Sequence, residues 1–192
     1  MFAKSIFGII ASLISVVSYV PYIVDIIKNK TKPHIFSWLV WTILIGIAFF
    51  GQIVGKAGSG AWLLGTTTIM SFLVLFLSFK KGTKDIKLID WICMFGAFLA
   101  MFFWLIIKTP LLSVITVTLT DAIACIPTIR KSFNKPYQET ISFYFLNIIK
   151  LSINFFAFEK YSLLTLLYPF YLVSANTFIA SFLYVRRRQV KK

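Results

Sequence analysis

Of the 192 residues, 59% are hydrophobic and the formal net charge is +14, with a mean hydropathy of +0.86; a soluble domain holds about 45–50% apolar residues. A water-soluble globule of this size still exposes roughly a third of the surface of its unfolded chain, so this much apolar surface is hidden only where the surrounding solvent is itself apolar. The composition therefore excludes an ordinary soluble domain, and no polar stretch is long enough to form a separate one.

Crossing ~30 Å of hydrocarbon takes about 20 helical residues. Runs of about that length, bounded by charges or turn residues, predict an all-α integral membrane protein of seven transmembrane helices, at roughly 5–27, 34–54, 60–79, 88–107, 110–129, 141–158 and 162–185. The first contains Pro21 and Asp25 and lacks a small-residue cleavage site, so it is expected to stay in the mature protein. Trp38 and Trp41 open the second, and Trp62 and Trp91 lie near the ends of the third and fourth; all four read as interface anchors. Gln52 and Glu159 fall close to outer helix ends, where water is expected to reach them. Gly55–Gly60 (GKAGSG) and Lys108-Thr109-Pro110 read as tight turns, so consecutive helices run antiparallel. Cys93 and Cys125 each sit inside an apolar run, which implies packing rather than a disulfide. The runs are too long for barrel strands and lack their alternation.

Lysine and arginine collect on one side, at Lys28–Lys32, Lys80–Lys87, Arg130–Lys135 and Arg186–Lys192, against Lys4, Lys56, Lys108 and Lys160 on the other. Positive loops are retained in the cytoplasm, which puts the N-terminus outside and the C-terminus inside a plasma (inner) membrane and requires an odd number of spans. The same pattern accounts for the net charge without nucleic acid; the basic side is expected to meet anionic lipid head groups.

The chain also resembles itself at a shift of 106 residues. Ser71–Lys81 (SFLVLFLSFKK) overlies Thr177–Arg187 (TFIASFLYVRR), Pro21 falls on Pro127, and Phe49-Phe50 falls on Phe155-Phe156. This predicts a first triple-helix unit (1–82), a linker helix (83–108) that restores the orientation, and a second triple-helix unit (109–192) with a basic tail. Such parallel repeats place a cavity between the units.

The stretches YVPYIVDIIKNKTKPHIFSW and ACIPTIRKSFNKPYQETIS each carry a proline late in a helix, a basic loop and a serine near the start of the next helix. In this they resemble the PQ-loop and SWEET superfamily, which includes sugar uniporters, lysosomal amino-acid exporters and KDEL receptors; nicotinamide riboside carriers have a similar architecture. The resemblance implies a SWEET-like 3+1+3 fold and transport of a small polar metabolite such as a sugar, amino acid or nucleoside. It also implies a substrate-binding asparagine in the seventh helix, where Asn176 stands.

Asp121 and Lys150 are the sharpest candidates. Asp121 lies about 13 Å from the cytoplasmic end of its helix at 1.5 Å per residue, and Lys150 falls at a similar depth in the next, so the two can meet near the midplane. Each charge alone would cost at least ~2.5 kcal/mol there. Ser15 and Leu44 occupy the equivalent positions of the first unit, so the pair suits an asymmetric ligand. Asn147, one turn before Lys150, and Asn176 add hydrogen-bonding capacity. Thr66, Thr67 and Thr68 are the nearest polar counterparts in the third helix, and Phe50 and Phe156 are expected to wall the cavity. Pro21 and Pro127 free a carbonyl and bend their helices, giving a matched pair of hinges.

Enzyme chemistry and cofactors are not expected. The single histidine, His34, and two separated cysteines make no metal-ligand set, and GKAGSG lacks the spacing of a phosphate loop. The reading is a carrier that alternates access between its two repeats, with oligomeric state open. The alternative is a SWEET-like receptor or sorting protein that binds a ligand or peptide without net transport.

Overall fold

A computed structural model describes residues 2–83 and 86–190. Lys84, Lys191 and Lys192, and the side chains of Pro127, Arg130 and Lys131, lie outside the described residues. The described chain forms seven α-helices: α1 (Phe2–Ile27), α2 (Ile35–Val54), α3 (Trp62–Lys81), α4 (Leu88–Leu105), α5 (Pro110–Asn134), α6 (Ile141–Asn154) and α7 (Leu163–Gln189). Three short 3-10 turns accompany them, Gly58–Ala61 before α3, Pro136–Gln138 before α6 and Phe155–Ala157 after it. Among the described residues the only β pairing is a single bridge between His34 and Thr83.

Local chemistry sets where the helices stop. His34 caps α2, its Nδ1 accepting the Ser37 N–H at 3.3 Å, and Ser162 caps α7 by accepting the Thr165 N–H at 3.3 Å; each satisfies a donor that the helix start leaves open. Beyond the apolar runs, α5 continues to Asn134 and α7 to Gln189, because lysine and arginine are good helix formers and cations near a helix C-terminus are favoured.

Five helices, α1, α2, α3 with its preceding turn, α4 and α7, are long and apolar enough to cross a membrane, while Pro110–Ile126 and Ile141–Ala157 are shorter apolar helices. The outer surface agrees with a bilayer solvent: Ile69, Phe76, Phe95 and Phe170 are 62–70% exposed, whereas an aqueous surface rarely shows so extended an apolar area.

The packing order is the same in the two halves. In the first, α3 lies against both α1 and α2; in the second, α7 lies against both α5 and α6. The halves meet crosswise, α1 on α6 and α2 on α5, and α4 lies on α5 and α2. The largest buried cluster follows that seam, joining Val40, Leu44 and Ala48 of α2 to Val114, Val117 and Ala124 of α5, Ala97 and Ala100 of α4, and Tyr168 of α7.

The two ends of the bundle differ. At the basic end, Lys81 donates to the Ile27 carbonyl at 2.7 Å, Thr140 donates to Asp25 at 2.7 Å and Arg187 donates to the Pro136 carbonyl at 3.0 Å. At the opposite end the α2–α3 turn is sewn to the α6–α7 turn. Ser59 donates to the Ala157 carbonyl at 2.9 Å, Asn154 to the Gly60 carbonyl at 2.9 Å, the Glu159 N–H to the Ala57 carbonyl at 3.0 Å and Lys4 to the Phe158 carbonyl at 2.8 Å.

Gln52 belongs to that closed end and corrects the expectation that it is wet. It is 1% exposed, and its Nε2 donates to the Thr165 carbonyl at 3.3 Å. Glu159 does lie exposed.

Candidate functional site

Between the two halves lies a cavity of about 690 Å³. Its mouth is at the basic end, where Lys32, Lys87, Lys135 and Gln138 line it and are exposed. Its floor carries Asp121 of α5, Asn147 and Lys150 of α6, and Tyr168 and Asn176 of α7. The turns at the opposite end take no part in its lining, so the cavity is a funnel open one way.

Lys150 is 2% exposed and Asp121 4% exposed, and they do not meet. Among the described residues the one acid–base approach within 4.0 Å is that of His34 Nδ1 to Asp90, at 3.6 Å. Lys150 instead donates from Nζ to Ser15 Oγ at 3.0 Å and lies 5.2 Å from the Tyr19 ring centroid, a cation–π distance. Ser15 in turn contacts Thr67 Oγ1 at 3.0 Å, and Tyr19 contacts Ser71 Oγ at 3.0 Å. Asp121 lines the cavity one turn from Cys125, whose Sγ lies 3.5 Å from the Tyr171 hydroxyl.

The separation has a topological cause. Lys150 is on α6, whose main neighbours are α1 and α7, whereas α5 packs on α4, α7 and α2. Although consecutive in sequence, α5 and α6 are not a packed pair, and the lysine therefore reaches into the other half. There it meets Ser15, the residue that the internal repeat sets on Asp121.

The two amides meet each other: Asn147 Nδ2 donates to Asn176 Oδ1 at 3.1 Å, and Asn176 Nδ2 donates to the Leu172 carbonyl at 2.7 Å. Two buried polar atoms of the lining keep no hydrogen-bond partner, Asn147 Oδ1 and the Tyr168 hydroxyl. Thr66, Thr67 and Thr68 each bond the carbonyl four residues back, and only Thr67 joins the cavity wall.

An aromatic box stands above this floor. Phe143 of α6 lies 5.2 Å from the Tyr19 ring and 5.1 Å from the Tyr22 ring, and Trp38 lies 5.3 Å from Tyr22; the Trp38 indole N–H donates to the Tyr22 hydroxyl at 3.3 Å. All four line the cavity, as does Trp41. Trp38, only 4% exposed, is thus no interface anchor, because the start of α2 turns it inward against α1.

Phe50 and Phe156 do not wall the cavity. They are 55% and 62% exposed and absent from its lining. One residue advances a helix by about 100°, so Phe49 packs inward while Phe50 beside it faces out; Phe156 lies in the 3-10 turn that ends α6 and rests on Phe7 of α1 at 5.5 Å. Pro21 is inside α1, as expected. The side chain of Pro127 lies outside the described residues, although α5 runs through its position.

Cys93 and Cys125 are free thiols. Among the described residues no group of three His, Cys, Asp or Glu side chains gathers to hold a metal ion. Comparison with family models, curated proteins and solved structures gives no match.

Proposed function

We propose that this chain is a membrane carrier of SWEET-like, PQ-loop kind that moves a small polar metabolite by exposing one central site alternately to each side. In this reading all seven helices span the bilayer as two parallel three-helix repeats joined by α4, with the N-terminus outside. The repeated packing order supports it, since α3 in one half and α7 in the other each lie between their unit's other two helices. Helices α5 and α6 have short apolar segments, yet both sit in the packed interior of the seam, where neighbouring helices rather than lipid cover much of their surface.

The observation that carries the proposal is the one-way funnel. A cavity of about 690 Å³ reaches buried charges and amides from the basic end and stops at a hydrogen-bonded seal. Burying an ionised group costs free energy that packing alone does not recover, so a chain that retains Asp121 and Lys150 at the floor of a cavity uses them on something that enters it. Alternation requires the Ser59, Asn154 and Gln52 contacts to break while the mouth between the basic loops closes, with Pro21 and Pro127 as the bends in the first helix of each unit.

Counterflow into vesicles of purified protein tests this. Preloading with a panel of sugars, amino acids and nucleosides should drive uptake of at least one labelled member, and Asp121→Asn and Lys150→Met should each lower that uptake at least about tenfold. Saturable binding without flux of any panel member would reject a carrier in favour of a receptor.

A further inference from the structure

The floor of the cavity holds one basic and one acidic side chain, each buried, each on its own helix, and neither paired with the other. Lys150 Nζ touches a neutral hydroxyl and an aromatic ring; Asp121 is 4% exposed on the cavity wall. Among the described residues neither has an opposite charge within 4.0 Å. Two further lining atoms, Asn147 Oδ1 and the Tyr168 hydroxyl, are buried without a hydrogen-bond partner, which is unusual in a packed interior.

These four observations constrain the occupant. An anion would satisfy Lys150 and leave Asp121 facing it; a cation would do the reverse. A sugar or nucleoside offers hydroxyls but brings a counter-charge to neither group. A ligand that bears one carboxylate and one ammonium group meets every requirement at once. Its carboxylate faces Lys150, its ammonium faces Asp121, and an ammonium hydrogen has the free Asn147 carbonyl oxygen to reach. Above the floor the wall is Tyr19, Tyr22, Trp38 and Phe143, an apolar, aromatic enclosure that fits an uncharged side chain.

We infer that the central site binds a zwitterion, a free amino acid with an apolar or aromatic side chain, between Lys150 and Asp121 across the two halves of the molecule. The inference rests on the carrier reading of the same site and narrows its substrate class. The asymmetry of the repeat agrees with it: Ser15 and Leu44 stand where a second acid and a second base would make the site indifferent to ligand direction.

Unmodified purified protein in detergent provides the test. Each standard amino acid, its methyl ester and its N-acetyl derivative are titrated by thermal shift, beside a panel of sugars and nucleosides, and the same compounds are run in counterflow. Amino acids with apolar side chains should stabilise the protein, and blocking either charge should weaken apparent affinity by about tenfold or more, the loss of one charge-assisted hydrogen bond. In Lys150→Met the ester should bind as well as its parent, and in Asp121→Asn the N-acetyl derivative should. Equal binding of parent and blocked forms by the unmodified protein overturns the inference, as does stabilisation and flux with a sugar or nucleoside and none with an amino acid; in that second case transport itself stands. Silence of every compound in both assays overturns the carrier reading as well.

Discussion

Lys150 carries its ammonium to a place where a serine hydroxyl and a tyrosine ring are its only described partners. Against a charge cost of about 2.5–3.5 kcal/mol at the centre of a spanning helix, one charge-assisted hydrogen bond returns about 1.5–3 kcal/mol, so the two nearly cancel. Lys150→Met, which keeps an unbranched chain of nearly the same length without the charge, should therefore leave the protein folded with its stability in detergent changed by no more than about 1 kcal/mol while lowering flux at least about tenfold; a lysine that only held the fold would instead lower the unfolding midpoint and leave counterflow intact. Tyr22→Phe is expected to act the other way, costing about 1–3 kcal/mol by leaving the buried Trp38 N–H without its acceptor, read as a lower unfolding midpoint. At this scale the sequence made the buried polar residues legible, because charges and amides stand out in an apolar run. It left their partners illegible. Lys150 and Asp121 share a depth, yet contact depends on which helices adjoin, and Phe50 and Phe156 share a repeat position that happens to face outward.

Among the elements, the turn Gly55–Gly60 shows why glycine is required at the closed end. A Cβ on Gly60 would lie 2.7 Å from the Phe158 ring and 3.0 Å from its Cα, and Gly58 holds φ +60° with Glu159 against it. Gly46, in the middle of α2, would meet only a Thr68 methyl at 3.8 Å. Gly60→Ala should thus destabilise by about 1–3 kcal/mol through overpacking, whereas Gly46→Ala should be neutral or gain about 0.5–1 kcal/mol of helix propensity; denaturant titration of the two variants in mixed micelles separates them. Pro21→Ala restores the N–H that α1 lacks and is expected to raise thermal stability while slowing counterflow several-fold; a static kink would leave the rate unchanged. Helix number and type were readable from the apolar runs to within a few residues. The ends that ran on, α5 and α7, did so because basic residues continue a helix into water instead of stopping it, while α6 stops short at Asn154 and finishes in the 3-10 turn Phe155–Ala157.

For the whole molecule, the decisive relation is the crosswise meeting of the halves, α1 on α6 and α2 on α5, which builds one funnel from two similar units. The repeat and the one-sided charge could be read along the chain, since both are patterns of sequence. Neighbourhood in space could not, because apolar helices of similar composition pack with many partners almost equally well and small side chains along the seam decide among them. The funnel makes a topological commitment that one native residue can report. Cys125 lines the cavity and is half-buried, while Cys93 is 4% exposed, so Cys93→Ala leaves a single thiol on the cavity wall. With oriented vesicles and a membrane-impermeant maleimide, Cys125 should be modified quickly when the basic face is outermost and more slowly, only as the carrier alternates, when the opposite face is. Faster modification from the opposite face, or none from either, would contradict a water-filled cavity that opens among the basic loops.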